Sequence, residues 1–286
     1  SDFEKEMNKM HDYTEQISTA HENLKSAIGS LREYEKYYTE FASITRQIQN
    51  KISKNDVDAY YKLLKRNIDL MHFFAEHSHF RDSMTKIKEG DRNLHFANAE
   101  CQDLFFTLLN QLELVDDKAV IEKMKILIYC MEVCENKDYF QMYRQKRGNF
   151  MREKLLSMTT AKYAQAHAAW YEKGSHYFTK FLKEFKSILQ SEKELTEQIF
   201  EQDIEFDQKF ASLAEIPFEI FIEEGESLLG KSKKIPNSYT FFILCNCLED
   251  LILQTSEFNT LLGSKKVYIQ KYKQLTDYYA QLCQQW

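Results

Sequence analysis

The chain has 286 residues, with 38 Lys and Arg against 44 Asp and Glu, and therefore a formal net charge of −6. It contains only 7 Gly and 2 Pro. Turn-rich sandwiches, jelly rolls and propellers are excluded, as are the repeated Gly-rich loops of doubly wound sheets, because these folds depend on those two residues. Since no run of 18 apolar residues occurs, we expect no helix that spans a membrane.

The cysteines indicate the redox compartment of the protein, and the first residues indicate whether the chain is a fragment. The six cysteines follow neither a disulfide framework nor a CxxC pattern, so we expect free thiols in a reducing cytoplasm. Cys130 and Cys134 lie one helical turn apart, but without a second pair they favour packing over metal binding. The opening SDFEKEM carries no signal peptide and predicts a fragment of a longer protein.

The first fifty residues carry a heptad repeat. Apolar residues recur every seven positions from Phe3 and again three positions later, and only Glu6 and Thr45 interrupt the pattern in fifteen positions. Two apolar positions per heptad are typical of a helix that supercoils against another helix. At 1.5 Å per residue, the repeat predicts a helix of about 75 Å.

The rest of the sequence predicts further helices separated by short breaks. Gly90 is expected to end a second helix and Pro217 to end a long helical run. Apolar residues at steps of three and four from Tyr163 to Ile188 predict one continuous helix. The predicted breaks or kinks are 53–56, Gly90, 115–117, 135–138, Gly148 and Pro217, and shorter helices are expected at 218–229, 238–262 and 265–286.

One segment matches a nucleotide-binding motif. Residues 225–232, GESLLGKS, fit the G-x-x-x-x-G-K-[ST] phosphate loop. That loop follows a strand, opens a helix and belongs to a parallel sheet, and no alternation of strands and helices surrounds this segment. We therefore interpret it as a helix that ends in a Gly cap, followed by a basic loop.

Other candidate catalytic or metal-binding groups are weak. Glu76 and His79 have the Glu-x-x-His spacing of helical di-iron sites, but no second motif of this kind occurs, so a solvated helix surface is favoured. No nucleophile elbow, HExxH or Cys–His signature is present. The sequence therefore predicts a protein that is not an enzyme, with no catalytic residue, no cofactor and no metal.

Basic residues are clustered although the net charge is negative. Clustered cations attract acidic lipid headgroups, whereas solvation of a polar helix face is the ordinary alternative. Nucleic acid is not expected as a partner, because the isoelectric point is about 5.8. The clustered candidate membrane-binding residues are Lys62, Lys65, Arg66, Lys86, Lys88, Arg144, Lys146, Arg147, Arg152 and Lys154.

The segment from Met158 to Phe185 resembles the last long helix of BAR domains, and is most similar to those of Arf-GAP, Rho-GAP and endosomal adaptor proteins. The stretch NLKSAIGSLREYEKYY in the first helix is also similar to the opening of such domains. The matching residues of the later helix are Ala164, Gln165, Ala166, Trp170, Tyr171, Gly174, Tyr177 and Phe178.

BAR domains are antiparallel dimers of three-helix coiled coils whose basic residues bind curved, anionic membranes. The resemblance therefore implies an all-α protein with a long-helix coiled-coil domain at 1–215 and an additional helical extension at 216–286. It further implies a homodimeric scaffold in membrane trafficking that binds anionic lipids peripherally from the cytoplasm and senses curvature. The resemblance adds Lys137 to the basic run of candidate membrane-binding residues that includes Arg144 and Lys154. The alternative is a helical scaffold or effector that binds a small GTPase or a trafficking protein without touching the membrane.

Overall fold

The chain is all-α, as its composition predicts. The computed structural model describes residues 2–53, 55–112, 118–161, 173–174, 176–201, 205–234, 238–263 and 266–285, and these residues form helices with no strand. The helices are α1 (Asp2–Ile48), α2 (Val57–Glu76), α3 (Ser83–Gln111), α4 (Lys118–Val133), α5 (Tyr139–Ala161), α6 (Tyr177–Ile199), α7 (Phe206–Lys234), α8 (Ser238–Leu261) and α9 (Lys266–Gln284).

The chain forms two compact units. The first comprises residues 1–104 and 129–136, and the second comprises residues 105–128 and 137–286. Two of the three divisions fall inside helices, within α3 and within α4, and the third falls between α4 and α5. Residue 216, the domain boundary that the sequence predicts, lies inside α7.

The first unit has its core where the C-terminal part of α1 packs on α2. Phe41, Ile44 and Ile48 are buried, and the Phe41 ring meets the Phe74 ring edge-on at 5.5 Å. The helical structure is interrupted between Ile48 and Val57, which confirms the predicted break at 53–56. The Tyr60 hydroxyl donates to the Ile48 carbonyl at 3.2 Å and ties the two helix ends together.

A buried polar contact explains one of the two interruptions of the heptad repeat. Thr45 is 7% exposed, and its hydroxyl oxygen accepts a hydrogen bond of 2.9 Å from the Asn93 side chain. The same Asn93 amide donates to Asn67, whose own amide donates to the Gly90 carbonyl. Thr45 is therefore tolerated in the core because its hydroxyl has a partner there.

The second unit has an aromatic core contributed by α6, α7, α8 and α9. The Phe185 and Phe221 rings are stacked with centroids 4.7 Å apart. The Tyr272 hydroxyl donates to the Leu251 carbonyl at 2.7 Å, and the Tyr279 hydroxyl donates to the Gly225 carbonyl at 3.0 Å. Aromatic rings thus fill the core while their polar ends find backbone acceptors. Helices α8 and α9 confirm the predictions at 238–262 and 265–286.

Two glycines that were expected to bend the chain lie inside continuous helices. Gly90 belongs to α3 and Gly148 to α5, so the predicted end at Gly90 and the predicted kink at Gly148 are wrong. A Cβ atom at Gly90 would lie 2.4 Å from Met71 Cγ, and one at Gly148 would lie 2.4 Å from Ile216 Cδ1. These glycines therefore allow close approach of a neighbouring side chain rather than a turn.

The predicted helix end at Pro217 is also wrong. Pro217 lies inside α7, which continues to Lys234. Proline removes one backbone hydrogen bond from a helix, but Leu213, Phe218 and Phe221 are fully buried on either side of it. Burial of these side chains in the core offsets the cost of the proline.

The stripe predicted from Tyr163 to Ile188 does not form a single helix. Gly174 has a φ of +78°, and α6 begins only at Tyr177. The His176 imidazole caps α6 by accepting a hydrogen bond of 3.2 Å from the Phe178 amide. Residues 163–171, with most of those that carry the BAR resemblance, and the predicted break at 115–117 lie outside the described residues. By contrast, Glu135, with a φ of 59°, marks the break predicted at 135–138.

Candidate interaction surface

The N-terminal two thirds of α1 present a continuous apolar face to solvent. Every residue from Asp2 to Glu33 is exposed. We call one side of this segment the α1 apolar face. Its large side chains, between 42% and 73% exposed, are Phe3, Met7, Met10, Tyr13, Ile17, Leu24, Ile28 and Leu31, with the small residues Ala20 and Ala27 between them.

The same heptad repeat changes environment at residue 34. Tyr34 is 9% exposed, and its hydroxyl shares a hydrogen bond of 2.7 Å with the hydroxyl of Ser83. Its ring centroid lies 3.9 Å from that of Phe80. From Tyr34 onward the heptad side of α1 is covered by residues of its own unit, with Phe41, Ile44 and Ile48 buried, whereas the α1 apolar face is left uncovered by the described part of the chain.

The residues that flank the α1 apolar face are mostly neutral. In the heptad that starts at Phe3, the positions beside the seam carry Lys9, Thr14, Gln16, His21, Asn23 and Ser30, of which only Lys9 has a formal charge. Two of these have hydroxyls that already donate within the helix, from Thr14 to the Met10 carbonyl at 2.8 Å and from Ser30 to the Ser26 carbonyl at 3.2 Å. Such hydroxyls are buried at little cost because their hydrogen bonds are already made. The surface suited to burial is therefore wider than two positions per heptad.

Charge is distributed unevenly along this part of α1. Residues 2–22 carry six carboxylates and two lysines, a net charge of −4. Residues 23–36 carry Lys25, Arg32 and Lys36 against two carboxylates, a net charge of +1. The exposed segment is thus acidic toward its N-terminus and slightly basic toward the core of the unit.

The candidate lipid-binding residues of α2 and α3 are partly engaged by neighbours. Arg66 forms a two-point ion pair with Glu40, with Nε–Oε1 and Nη2–Oε2 distances of 2.7 and 2.8 Å, and this guanidinium lowers the pKa of the Glu40 carboxyl. Lys62 pairs with Asp58 at 2.6 Å and Lys86 with Glu89 at 2.8 Å. The exposed members of the group are Lys62, Lys65 and Lys88.

The candidate residues of the second unit are divided in the same way. Arg144 Nη2 lies 3.1 Å from Glu215 Oε2, and the Arg144 Nε donates to the Ser212 carbonyl. Lys146 is half-buried with its ammonium 5.4 Å from the Phe106 ring centre. The exposed members are Lys137, Arg152 and Lys154.

Arg147 is the candidate that the structure places in the interior. It is 5% exposed and pairs with the buried carboxylate of Glu192, at 2.6 Å between Nη2 and Oε2. The Tyr143 hydroxyl donates to the same carboxylate at 3.0 Å, and burial raises the pKa of that phenol well above its usual value. The Arg147 guanidinium therefore belongs to a buried hydrogen-bond network and lies away from any surface that a lipid headgroup reaches.

The motifs considered for chemistry are not arranged as catalytic sites. Residues 225–232, which match the phosphate loop, form part of α7, so their backbone does not form the cradle that a phosphate loop needs. Glu76 and His79, which have the di-iron spacing, are both exposed, and the His79 ring lies against Phe80 with centroids 4.5 Å apart. Within the described residues, no group of three His, Cys, Asp or Glu side chains is arranged to hold a metal ion. None of the described helices combines the length and apolar composition of a membrane span.

The cysteines behave as the sequence predicts. All six are free thiols, although the Cys245 and Cys283 sulfurs lie 3.9 Å apart. Cys130 is buried and Cys134 half-buried, which favours the packing interpretation.

Sequence reasoning missed two features. The heptad repeat shows that α1 has an apolar face but carries no signal for where its own unit stops covering it. The partner of Arg147 was also missed, because Glu192 lies 45 residues away in a segment that reads as a solvated acidic run. Comparison with protein-family models gives no match to the chain, and comparison with curated proteins gives none either.

Proposed function

We propose that the protein is a non-enzymatic helical scaffold that assembles by pairing the α1 apolar face with another α-helix. The observation that carries this proposal is the full exposure of residues 2–33 together with eight large apolar side chains on one side. Exposed apolar patches of more than a few hundred Å² mark interaction sites in soluble proteins. Each of these side chains contributes on the order of 1.5–3 kcal/mol when it is buried, before the costs of association.

The helical state of this segment supports the same proposal. Isolated helices are marginal in water, and amphipathic helices in proteins are stabilised mainly by packing of their apolar face. Residues 2–33 have no such packing within the described chain. A partner helix along this segment would supply it.

A site-specific photo-cross-linking experiment tests this function. A photoreactive amino acid is placed at Leu24 on the α1 apolar face, and at Glu22 on the opposite side of the same helical turns, in the cells that express the protein. We expect discrete cross-linked products from Leu24 and none from Glu22, because only Leu24 faces the partner. Equal yields at the two positions, or none at either, would refute pairing through this face.

Peripheral binding to anionic membranes is a second proposal, supported by the exposed cations and by the BAR resemblance. Arg152 and Lys154 are exposed near one another on α5. Lipid attraction of about 1 kcal/mol per cation predicts that Arg152→Glu with Lys154→Glu weakens co-sedimentation with phosphatidylserine vesicles at low salt. Lys180→Glu with Lys183→Glu, exposed cations outside the predicted set, is the matched control. Absence of pelleting by the unmodified protein at low salt would exclude this function, because attraction is strongest there.

A further inference from the structure

We propose that the partner of the α1 apolar face is the same segment of a second copy, running antiparallel, with Ile17 opposite Ala20 of the other copy. This inference rests on the proposed function, since it names the helix that the scaffold pairs with. In an antiparallel pair, the first apolar position of each heptad in one helix meets the second apolar position in the other. The register then follows from the sizes of the side chains.

The first observation is the complementarity of large and small residues. In this register Met10 lies opposite Ala27 and Ile17 lies opposite Ala20, so each alanine layer receives a large side chain. Tyr13 lies opposite Leu24. The two-fold axis of the antiparallel pair makes each of these layers occur twice. No layer contains two alanines, and the helix axes therefore stay evenly spaced, at about 8–10 Å.

The flanking positions agree with the same register. On one side Met7 lies next to Ile28 of the other copy, which extends the apolar contact. On the other side the Gln16 and Asn23 side chains come together, and each amide offers both a donor and an acceptor. No flanking pair brings two like charges together. The flanks of α1 therefore fit this partner, and the charged seam residue Glu6 lies opposite Leu31 of the other copy, in the second layer from each end of the overlap.

A parallel pair of the same helices is disfavoured. Identical residues would then face each other, so the Ala20 and Ala27 layers would be thin beside layers of Ile17 or Leu24. The two Glu6 carboxylates would also meet within the seam. The two acidic ends, each with a net charge of −4 over residues 2–22, would lie side by side, whereas the antiparallel pair sets them against the basic ends.

The extent of the exposed face matches the length of the proposed overlap. In this register Phe3 of the second copy reaches the level of Tyr34, the first residue that the unit covers itself. The paired segments therefore span the exposed part of α1 and end where its own core begins. Phe3 and Tyr13 bury roughly 150–250 Å² each when they are covered, so these two alone supply roughly 300–500 Å² per copy, and the six aliphatic side chains of the face add to that area. A standard stable interface buries about 800 Å² per partner.

The first test measures assembly. Sedimentation velocity at about 10 µM protein, where a micromolar dimer is mostly associated, is expected to show a dimer. Ile17→Asp places a charge in the central layer twice per dimer and is expected to raise the dissociation constant at least about 100-fold. Ser18→Asp, on the adjacent exposed position, carries the same charge and is expected to leave it nearly unchanged. Far-UV circular dichroism establishes that both variants remain helical.

The second test measures orientation and register. A chain carrying Met10→Cys and Ala27→Cys is oxidised, and the disulfides are mapped by peptide mass spectrometry. The two introduced thiols lie about 25 Å apart within one helix, so a disulfide between them joins two chains. We expect this linkage from the double variant and no disulfide at these positions from either single variant. Linkage of position 10 to position 10 overturns the antiparallel register.

The outcomes separate this inference from the function on which it rests. A monomer at about 100 µM that still gives a photo-cross-link to another polypeptide at Leu24 overturns self-pairing and leaves the scaffold function standing. A monomer without any cross-link at Leu24 overturns both. If Ile17→Asp changes the dissociation constant of the dimer no more than Ser18→Asp does, the dimer does not form through the α1 apolar face.

Discussion

The buried ion pair between Arg147 and Glu192 gives a sharp prediction about stability. The two side chains are 6% and 2% exposed, and the guanidinium donates to both carboxylate oxygens at 2.6–3.1 Å. Tyr143 donates to the same carboxylate and also shares a hydrogen bond with Thr196. Arg147→Met removes the cation and keeps most of the aliphatic volume, so Glu192 becomes a buried carboxylate without its cation.

Breaking a buried pair by removing one partner costs about 3–5 kcal/mol, because the remaining charge is neither solvated nor compensated. For a unit of this size, each kcal/mol corresponds to roughly 2–4 °C in Tm. We therefore expect Arg147→Met to lower the melting temperature of the second unit by about 6–20 °C. Removing both charges with Arg147→Met and Glu192→Leu is expected to restore stability to within about 1 kcal/mol, since apolar replacement of such a pair is often neutral.

Thermal and urea denaturation, both followed by far-UV circular dichroism, measure the melting temperature and the free energy of unfolding of both variants. Arg152→Met is the matched control, because Arg152 lies on the same helix but is exposed. Its effect is expected to stay within about 0.5 kcal/mol. A loss below about 1 kcal/mol for Arg147→Met, or a double variant as unstable as the single one, would show that the pair does not hold the core as described.

Two further predictions concern the second unit. Gly230→Ala is expected to stabilise the protein by about 0.5–1 kcal/mol, because it lies in α7 with no atom within 4 Å of the new Cβ. Gly225→Ala is expected to destabilise it by about 1–3 kcal/mol, because that Cβ meets Leu275 Cδ2 at 2.7 Å. Equal effects in urea denaturation would contradict this packing. Burial raises the pKa of the Cys247 thiol from its ordinary value near 9 to about 12. The unfolded chain then ionises first, so stability present below pH 9 is lost as the pH rises toward 12. Between pH 8 and pH 10 this loss is about 1 kcal/mol and is expected to be absent in Cys247→Ala; an unchanged pH dependence in that variant would contradict it.

Sequence alone predicts the elements whose signals are local. The heptad repeat from Phe3 onward predicts α1, because the spacing of apolar residues follows directly from helix geometry. The two C-terminal helices are predicted for the same reason. The scarcity of Gly and Pro predicts the all-α class, because turn-rich β folds and doubly wound sheets depend on those two residues.

Sequence alone does not predict helix ends that depend on contacts with residues distant in the chain. Pro217 reads as a helix end, but buried neighbours on both sides keep α7 continuous. Gly90 reads as a cap, but its role is to admit Met71. Gly174 reads as part of a stripe, but its positive φ interrupts the helix. In each case tertiary packing or local backbone conformation outweighs the average preference of the residue.

The candidate surface was predictable in part. The pattern of α1 indicates an apolar face that another helix covers, whereas the extent to which the chain covers it depends on the fold. The basic residues were predicted to bind lipid from their charge alone. The sequence does not show which of them pair with a carboxylate from another helix. The structure pairs Arg66 and Arg147 with carboxylates of other helices, Glu40 of α1 and Glu192 of α6.

A photo-cross-linking scan along α1 tests most directly whether its apolar face is covered by another helix. The photoreactive residue is placed at each position from Tyr13 to Leu24 in the protein as it is expressed in cells. Pairing through the α1 apolar face predicts yields that rise at Tyr13, Ile17, Ala20 and Leu24 and fall between them, following the 3.5-residue repeat. Yields without this period, or equally low at every position, would contradict the proposal that α1 is an assembly surface.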